Sequence, residues 1–171
     1  MDVVTFEFEN VPAAAAASAE AVATVRPSGR ALEVAQHRIR EKRFLAHSGL
    51  PVAPHAEVRS EADLLAAVRE IGRPSVLKTA ALGYDGKGQA VIGAGTDPLA
   101  AWQSLGRAEA ILETFVDLER EISVIGARGA DGAVSFFPAF DNTHRHHILD
   151  VTVAPADIPA EMAEEAVRVT R

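Results

Sequence analysis

The chain of 171 residues contains no cysteine. That excludes a disulfide scaffold and a thiolate zinc site, and it suits a reducing, cytoplasmic setting. Cations are in deficit as well: 17 Lys and Arg stand against 24 Asp and Glu, a formal net charge of −7. A protein that lives on nucleic-acid phosphates is usually basic, so no nucleic-acid partner is expected. Any anionic ligand must be held by a local cluster of cations or backbone N–H groups, not by the overall field. No apolar run approaches the ~18 residues of a membrane span, so no membrane partner is expected. The opening MDVVTFEFEN has neither the charged n-region nor the apolar h-region of a signal peptide. What is present is an ordinary globular composition, 48% apolar and 24% charged. It is enough to bury the core of one domain or a little more, and it excludes global disorder.

Along the chain, residues 2–9 alternate, with Val4, Phe6 and Phe8 on one face, which predicts a half-buried strand. Asn10 and Pro12 suit the cap and first turn of an alanine-rich helix that breaks at Arg26-Pro27. A single helix is expected from Ser28 to about Ser48, striped by Leu32, Ala35, Ile39 and Ala46 and closed by Gly49. After a Pro51–Pro54 linker, a strand is predicted at His55–Val58. Ser60-x-x-Asp63 resembles a capping box for a helix carrying Leu64, Leu65, Val68 and Ile71. Strands follow at Ser75–Thr79, Gln89–Ile92 and Ala110–Glu113, with a short helix over Thr96–Gly106. Glu119–Ala127 and Ala133–Phe140 read as an antiparallel pair turning at residues 129–132. DNTHRHH reads as a polar loop before a strand at Ile148–Val153, and Ile158–Arg171 is helical. The first residue falls in a strand and the last in a helix, so the expectation is a piece cut from a longer chain at both ends.

The sharpest feature is LKTAALGYDGKGQAVI at 77–92: a strand, a loop with glycines at 83, 86 and 88, and a second strand. It is not a P-loop, because Lys87 is followed by Gly88 rather than Ser or Thr. Nor is it a dinucleotide fingerprint, since a strand follows instead of a helix. Glycines let backbone N–H groups approach a polyphosphate without a Cβ in the way, and Lys78 projects from an otherwise apolar strand. A flexible hairpin with a solvated lysine satisfies the same residues. ILETFV ends a strand on Glu113 and an apolar step, a hinge able to read an adenine edge. Glu121 follows on an alternating strand that is equally consistent with a plain amphipathic surface strand. His144, His146 and His147 raise a zinc reading, but no Cys or helical His spacing supports it and no metal site is expected. Glu7 and Glu9 share a strand face, where a cation, a polar ligand or plain solvent satisfies them.

With these pieces in order, the chain resembles the ATP-grasp superfamily and, within it, the 5-(carboxyamino)imidazole ribonucleotide synthetases of bacterial purine synthesis. The matching strings are DVVTFEFENVP at 2–12, QHRIREKRFL at 36–45, LPVAPHAEV at 50–58, LKTAALGYDGKGQ at 77–89, ILETFVDLEREISVIGARGADG at 111–132 and FPAFDNTHRHHIL at 137–149. GYDGKGQ is the most specific, although similar strings occur in formate-dependent glycinamide ribonucleotide transformylase. The resemblance implies an α/β (α+β) fold with ATP sandwiched between two subdomains. It divides the chain into the tail of an N-terminal pre-ATP-grasp domain (1–27), a helical connection (28–58), a lid subdomain (59–115) and the start of an antiparallel C-terminal subdomain (116–171). It also implies that Arg38 and Lys78 contact the phosphates, and that the loop of Gly83, Tyr84, Asp85, Gly86, Lys87, Gly88 and Gln89 closes over them. Glu113, Thr114, Phe115 and Val116 would form the adenine hinge, Glu121 would hold the ribose hydroxyls, and His144 would lie beside the nucleotide. Glu7 or Glu9, with Tyr84, Asp85 and Lys87, would face the aminoimidazole substrate. Lys78, Asp85 and Lys87 are the implied catalytic groups.

The reaction so implied joins ATP, bicarbonate and aminoimidazole ribonucleotide in a cytoplasmic ligase whose parent is a homodimer. Magnesium is the implied metal, with ligands expected beyond Arg171, so the 171 residues alone are expected to be inactive. A transformylase-like ligase using formate and a non-catalytic nucleotide-binding module are the alternatives. The chain departs from the family pattern at three places. His37 stands where Asp or Asn is usual, which weakens a helix cap. His147 stands where a glycine is usual before Ile-Leu, and Asp141 replaces a common Glu.

Overall fold

Alternating apolar residues in the middle of the chain build its largest sheet, and the elements around it follow from how that sheet is covered. The computed structural model describes residues 2–83 and 87–171 and divides into two compact units, Met1–Phe115 and Val116–Arg171. The first unit opens with β1 (Val3–Val4), α1 (Ala13–Glu20), β2 (Thr24–Val25), α2 (Gly29–Ala35) and α3 (Arg38–His47). It continues through β3 (His55–Val58), α4 (Glu61–Ile71), β4 (Ser75–Thr79), β5 (Gln89–Ile92), α5 (Pro98–Ser104) and β6 (Ala110–Thr114). The second unit holds β7 (Glu121–Ser123), β8 (Gly126–Arg128), β9 (Val134–Phe136), β10 (Phe140–Arg145), β11 (Ile148–Val153) and α6 (Ala160–Thr170). Among the described residues no helix is long and apolar enough to cross a membrane.

In the first unit the strand order is β3-β6-β4-β5, antiparallel throughout. The register pairs Leu77 with Leu112 and with Ala90, so these residues share one face. That face is covered by α4 and α5, and Val58, Leu64, Leu77, Ile92, Trp102 and Leu112 close a single core there. Burying side chains of this size contributes roughly 1.5–3 kcal/mol each. Helix α4 starts where the capping signal lies: the Ser60 hydroxyl accepts from the Asp63 N–H at 3.1 Å, and the Asp63 carboxylate accepts from the Arg59 N–H at 3.1 Å. The opposite face carries Lys78 beside Ile111 and Val76 beside Glu113. Helix α3 lies on it through Ile39, which packs with Ala80 and Ile111.

Three local expectations change in this unit. The strand expected over 2–9 shrinks to β1, which pairs in parallel with β2, an element the alternation did not reveal. The pairing covers only Val3 with Thr24 and Val4 with Val25, and farther along the Gln36 side-chain amide donates to the carbonyls of Glu9 and Val11. Helix α1 starts one residue after Pro12, so Asn10 is not its cap. The single helix expected from Ser28 to Ser48 is two. Ser28 caps α2 by accepting from Ala31 at 3.3 Å, and His37 adopts an extended backbone (φ −141°, ψ 108°) that ends one helix and starts the next.

The second unit has two small antiparallel sheets, β11-β10-β7 and β8-β9. The hairpin turning at 129–132 is present as β8–β9, but β7 pairs with β10, so the long pair foreseen is interrupted at Val124–Ile125. DNTHRHH is not a loop. Residues 140–145 are β10, and a two-residue turn at His146 (φ +52°) and His147 (φ +65°) returns the chain into β11. A turn with both central residues left-handed matches the strand twist and favours glycine or asparagine. The glycine usual at position 147 therefore has a backbone reason.

Candidate functional site

The site is built on the sheet face opposite the main core. Strand alternation places Lys78 and Glu113 on that face of neighbouring strands, and α3 brings Arg38 and Lys42, one helical turn apart, over it. The Lys78 ammonium lies 2.7 Å from Oε2 of Glu113, and the Lys42 ammonium lies 3.2 Å from Oε1. One carboxylate, on a side chain only 8% exposed, thus holds two lysines. Burial pushes the Glu113 carboxyl upward, but the hydrogen bond from Lys78 and the charges of Lys78 and Lys42 outweigh it, and its pKa sits below the ordinary 4.5. Glu41, the next residue on α3, lies within electrostatic reach of Lys42, Arg38 and Glu113. Its half-burial raises its pKa.

Arg38 fastens the base of the glycine-rich loop. Its backbone N–H donates to Ala80 at 2.8 Å, and its guanidinium donates to the carbonyls of Thr79 at 2.9 Å and Gly83 at 3.3 Å. A Cβ on Gly83 would meet both terminal guanidinium nitrogens at 3.0 Å, and one on Gly88 would meet the Thr79 hydroxyl at 2.7 Å. Gly88 also has φ +72°, and its carbonyl accepts from Thr79 at 2.8 Å. Gly88 is therefore required by its backbone conformation and close approach, and a Cβ at Gly83 would fit only tightly against Arg38 at the neck of the loop. Gln89 pairs with Lys78 across the strands and shares its face. Lys87 precedes Gly88 in this neck. Tyr84, Asp85 and Gly86, expected to contact nucleotide and substrate, lie outside the described residues.

At the hinge, the Thr114 N–H donates to Pro54 at 2.9 Å and the Phe115 N–H to Pro74 at 3.2 Å, so both are engaged within the protein. Phe115 and Val116 are exposed. Glu121 and His144 belong to the second unit, where β7 and β10 bring them together, His144 Nδ1 3.5 Å from Glu121 Oε2. Glu7 and Glu9 are exposed and lie off any strand. Histidines 144, 146 and 147 gather no metal site: among the described residues no three His, Asp or Glu side chains are placed to hold an ion. His37 makes no helix cap. Its Nε2 lies 3.4 Å from Glu109, and its Nδ1 is buried without a partner.

Sequence reasoning missed Lys42. Two signals were available. Lys42 lies four residues from Arg38 on one helix face, and the chain contains three lysines in all: Lys42, Lys78 and Lys87. Two of them meet on one carboxylate and the third sits in the adjoining loop.

Two family patterns cover the chain. A ribonucleotide synthetase pre-ATP-grasp domain matches residues 1–36, and an ATP-grasp domain matches residues 43–171. An antiparallel sheet that presents a lysine beside a glycine-rich hairpin, with this match over most of the chain, makes it a member of the ATP-grasp family. Its named relatives are narrower in kind. It is 44% identical to the N5-carboxyaminoimidazole ribonucleotide synthase of Brucella melitensis over 167 residues, covering 96% of this chain and 46% of that one. It is 42% identical to the enzyme of the same name from Pseudomonas aeruginosa, again over 96% and 46%. A crystal structure of the ADP complex of an N5-carboxyaminoimidazole ribonucleotide synthetase superposes with a TM-score of 0.92 at 38% identity, covering 99% of this chain and 45% of that one. The chain spans about half the length of the relatives it matches.

Proposed function

We propose that these residues belong to an ATP-dependent ligase that carboxylates the exocyclic amine of aminoimidazole ribonucleotide with bicarbonate. In that reaction the γ-phosphoryl passes from ATP to a bicarbonate oxygen, giving ADP and carboxyphosphate. The amine nitrogen then forms a bond to the carboxyl carbon as phosphate leaves. Phosphoryl transfer asks for positioning and charge neutralisation more than covalent chemistry from the protein. Lys78 and Arg38 fit that demand, one as a fixed ammonium on a strand and the other as a cation at the neck of the loop. Gly83 and Gly88 leave room for backbone donors beside the phosphates. Glu113 to Val116 form the adenine hinge. The Glu113 carboxylate is committed to two lysines and the N–H groups of Thr114 and Phe115 are bonded, so the base would use other main-chain groups of the hinge, Val116 among them. Glu121 binds the ribose hydroxyls with His144 beside it. Magnesium, when bound, would supply further charge neutralisation for the transferring phosphoryl, and no three His, Asp or Glu side chains among the described residues are placed to hold it.

The observation that carries this reading is the meeting of Lys78 and Glu113 at 2.7 Å beside the Arg38-fastened loop. The test is a chimera in which these 171 residues replace their counterpart in the Brucella melitensis synthase. Phosphate release should require ATP, bicarbonate and aminoimidazole ribonucleotide together, within about tenfold of the parent rate. A chimera that works equally well with formate, or that binds ATP without turnover, overturns the assignment. The 171 residues alone should turn over at least about tenfold more slowly than the parent synthase.

A further inference from the structure

We propose that Lys42 is a positioning residue for Lys78, acting through the carboxylate of Glu113 that the two lysines share. The inference rests on reading this sheet face as the phosphate-gripping part of a nucleotide site. Three observations carry it. Each oxygen of Glu113 has its own ammonium, Lys42 on Oε1 and Lys78 on Oε2. The terminal torsion of a glutamate is broad and roughly two-fold. A second partner on the second oxygen fixes that torsion, and with it the point in space to which Lys78 is drawn.

The second observation is charge. Arg38, Lys42 and Lys78 face Glu41 and Glu113 across one patch. With both carboxylates ionised, three cations leave a surplus of one positive charge. Remove Lys42 and the surplus falls to zero, so a polyphosphate must then compete with Glu113 for Lys78. The third is burial: the side chains of Lys42 and Lys78 are 19% and 27% exposed and Glu113 is 8% exposed. Screening by water is weak there, so the two lysines are coupled strongly to the one carboxylate.

A structural ion pair and a positioning pair differ in what Lys78 does when Lys42 is lost. Because the chain has three lysines, 15N-lysine labelling gives a side-chain ammonium spectrum simple enough to assign by substitution. In Lys42→Met the Lys78 signal should shift and exchange faster. In Lys42→Arg, which keeps the charge, it should stay close to wild type. ATP, titrated calorimetrically into the same proteins, should bind about tenfold more weakly to Lys42→Met and within about threefold of wild type to Lys42→Arg. Arg43→Met, which removes an ion pair to Glu57 on β3 and touches neither Glu113 nor Lys78, should change neither readout. If Lys42→Met does not fold, as judged by circular dichroism, Lys42→Gln replaces it. An unmoved Lys78 signal in the neutral variant overturns the proposal, whatever ATP does. A moved signal with undiminished ATP affinity overturns its bearing on phosphate binding. A wild-type chain that binds no ATP while the Lys78 signal still moves upholds the positioning and refutes the nucleotide reading instead.

Discussion

The two units each hold a carboxylate beside a side-chain nitrogen at a position proposed for nucleotide contact, and the pairs differ in kind. Glu113 and Lys78 sit 2.7 Å apart against a packed sheet, with Lys42 on the second oxygen. Glu121 and His144 sit 3.5 Å apart with 47% and 35% of their side chains exposed. The first unit buries Leu64, Leu77, Ile92, Ile111 and Leu112 completely or nearly so, whereas in the second Ala139 is the one buried residue among those described. A charge pair takes its strength from the walls around it. In water it is screened and contributes little, and against a dry sheet it is strong and also hard to do without. The first unit therefore has a preformed electrostatic site, and the second offers groups whose geometry is set only weakly by their own surroundings.

The contrast can be broken most sharply in the core. Leu77→Ala removes a fully buried side chain beneath the strand that carries Lys78 and should cost about 3 kcal/mol in urea unfolding. Leu149→Ala on the exposed strand β11 should cost less than about 0.5 kcal/mol. Equal costs would mean that the two units are packed alike. The next effect belongs to Glu113. Glu113→Ala leaves Lys42 and Lys78 facing each other without a counter-charge and should cost about 2–3 kcal/mol, less than a fully buried pair because both lysines reach solvent. A cost near zero would show that the lysines simply turn outward.

Acid sharpens the same point. The Glu113 carboxyl is held below its ordinary 4.5 in the folded chain. Its stabilisation is therefore complete above that value and is lost as the pH falls through the lower folded-state pKa. The gap in unfolding free energy between wild type and Glu113→Gln should narrow as the pH is taken from 7 to 3, and a constant gap would contradict the assignment. The smallest effect is expected in the second unit, where Glu121→Gln and His144→Ala should each change stability by no more than about 0.5 kcal/mol at pH 7.

Much of the first unit was legible because its strands and helices are locally marked. Ser60 and Asp63 announce α4, the alternation of Val76, Leu77 and Lys78 sets the faces of β4, and Gly88 stands where a loop closes too tightly for a Cβ. What escaped was decided by contacts between distant segments. The break between α2 and α3 depends on the backbone at His37, and the short reach of β1 follows its pairing with a two-residue partner some twenty positions on. Strand β10 was hidden by its polar residues, because a sheet with both faces wet carries no apolar alternation to read. At the site, Lys78 and Glu113 could be named from their strands, but the double use of Glu113 could not, because no spacing rule links residue 42 on a helix to residue 113 on a strand.

The central claim is that the phosphates of a nucleotide are gripped by the strand-borne lysine of the first unit. Calorimetric titration of ATP into the wild-type chain, Lys78→Ala and Lys87→Ala tests it most directly. A charged hydrogen bond to phosphate is worth ~1.5–3 kcal/mol, so Lys78→Ala should weaken binding by about ten- to a hundredfold. Lys87→Ala, on the loop, should weaken it less. Equal losses in the two variants, or undiminished affinity in Lys78→Ala, would contradict the account.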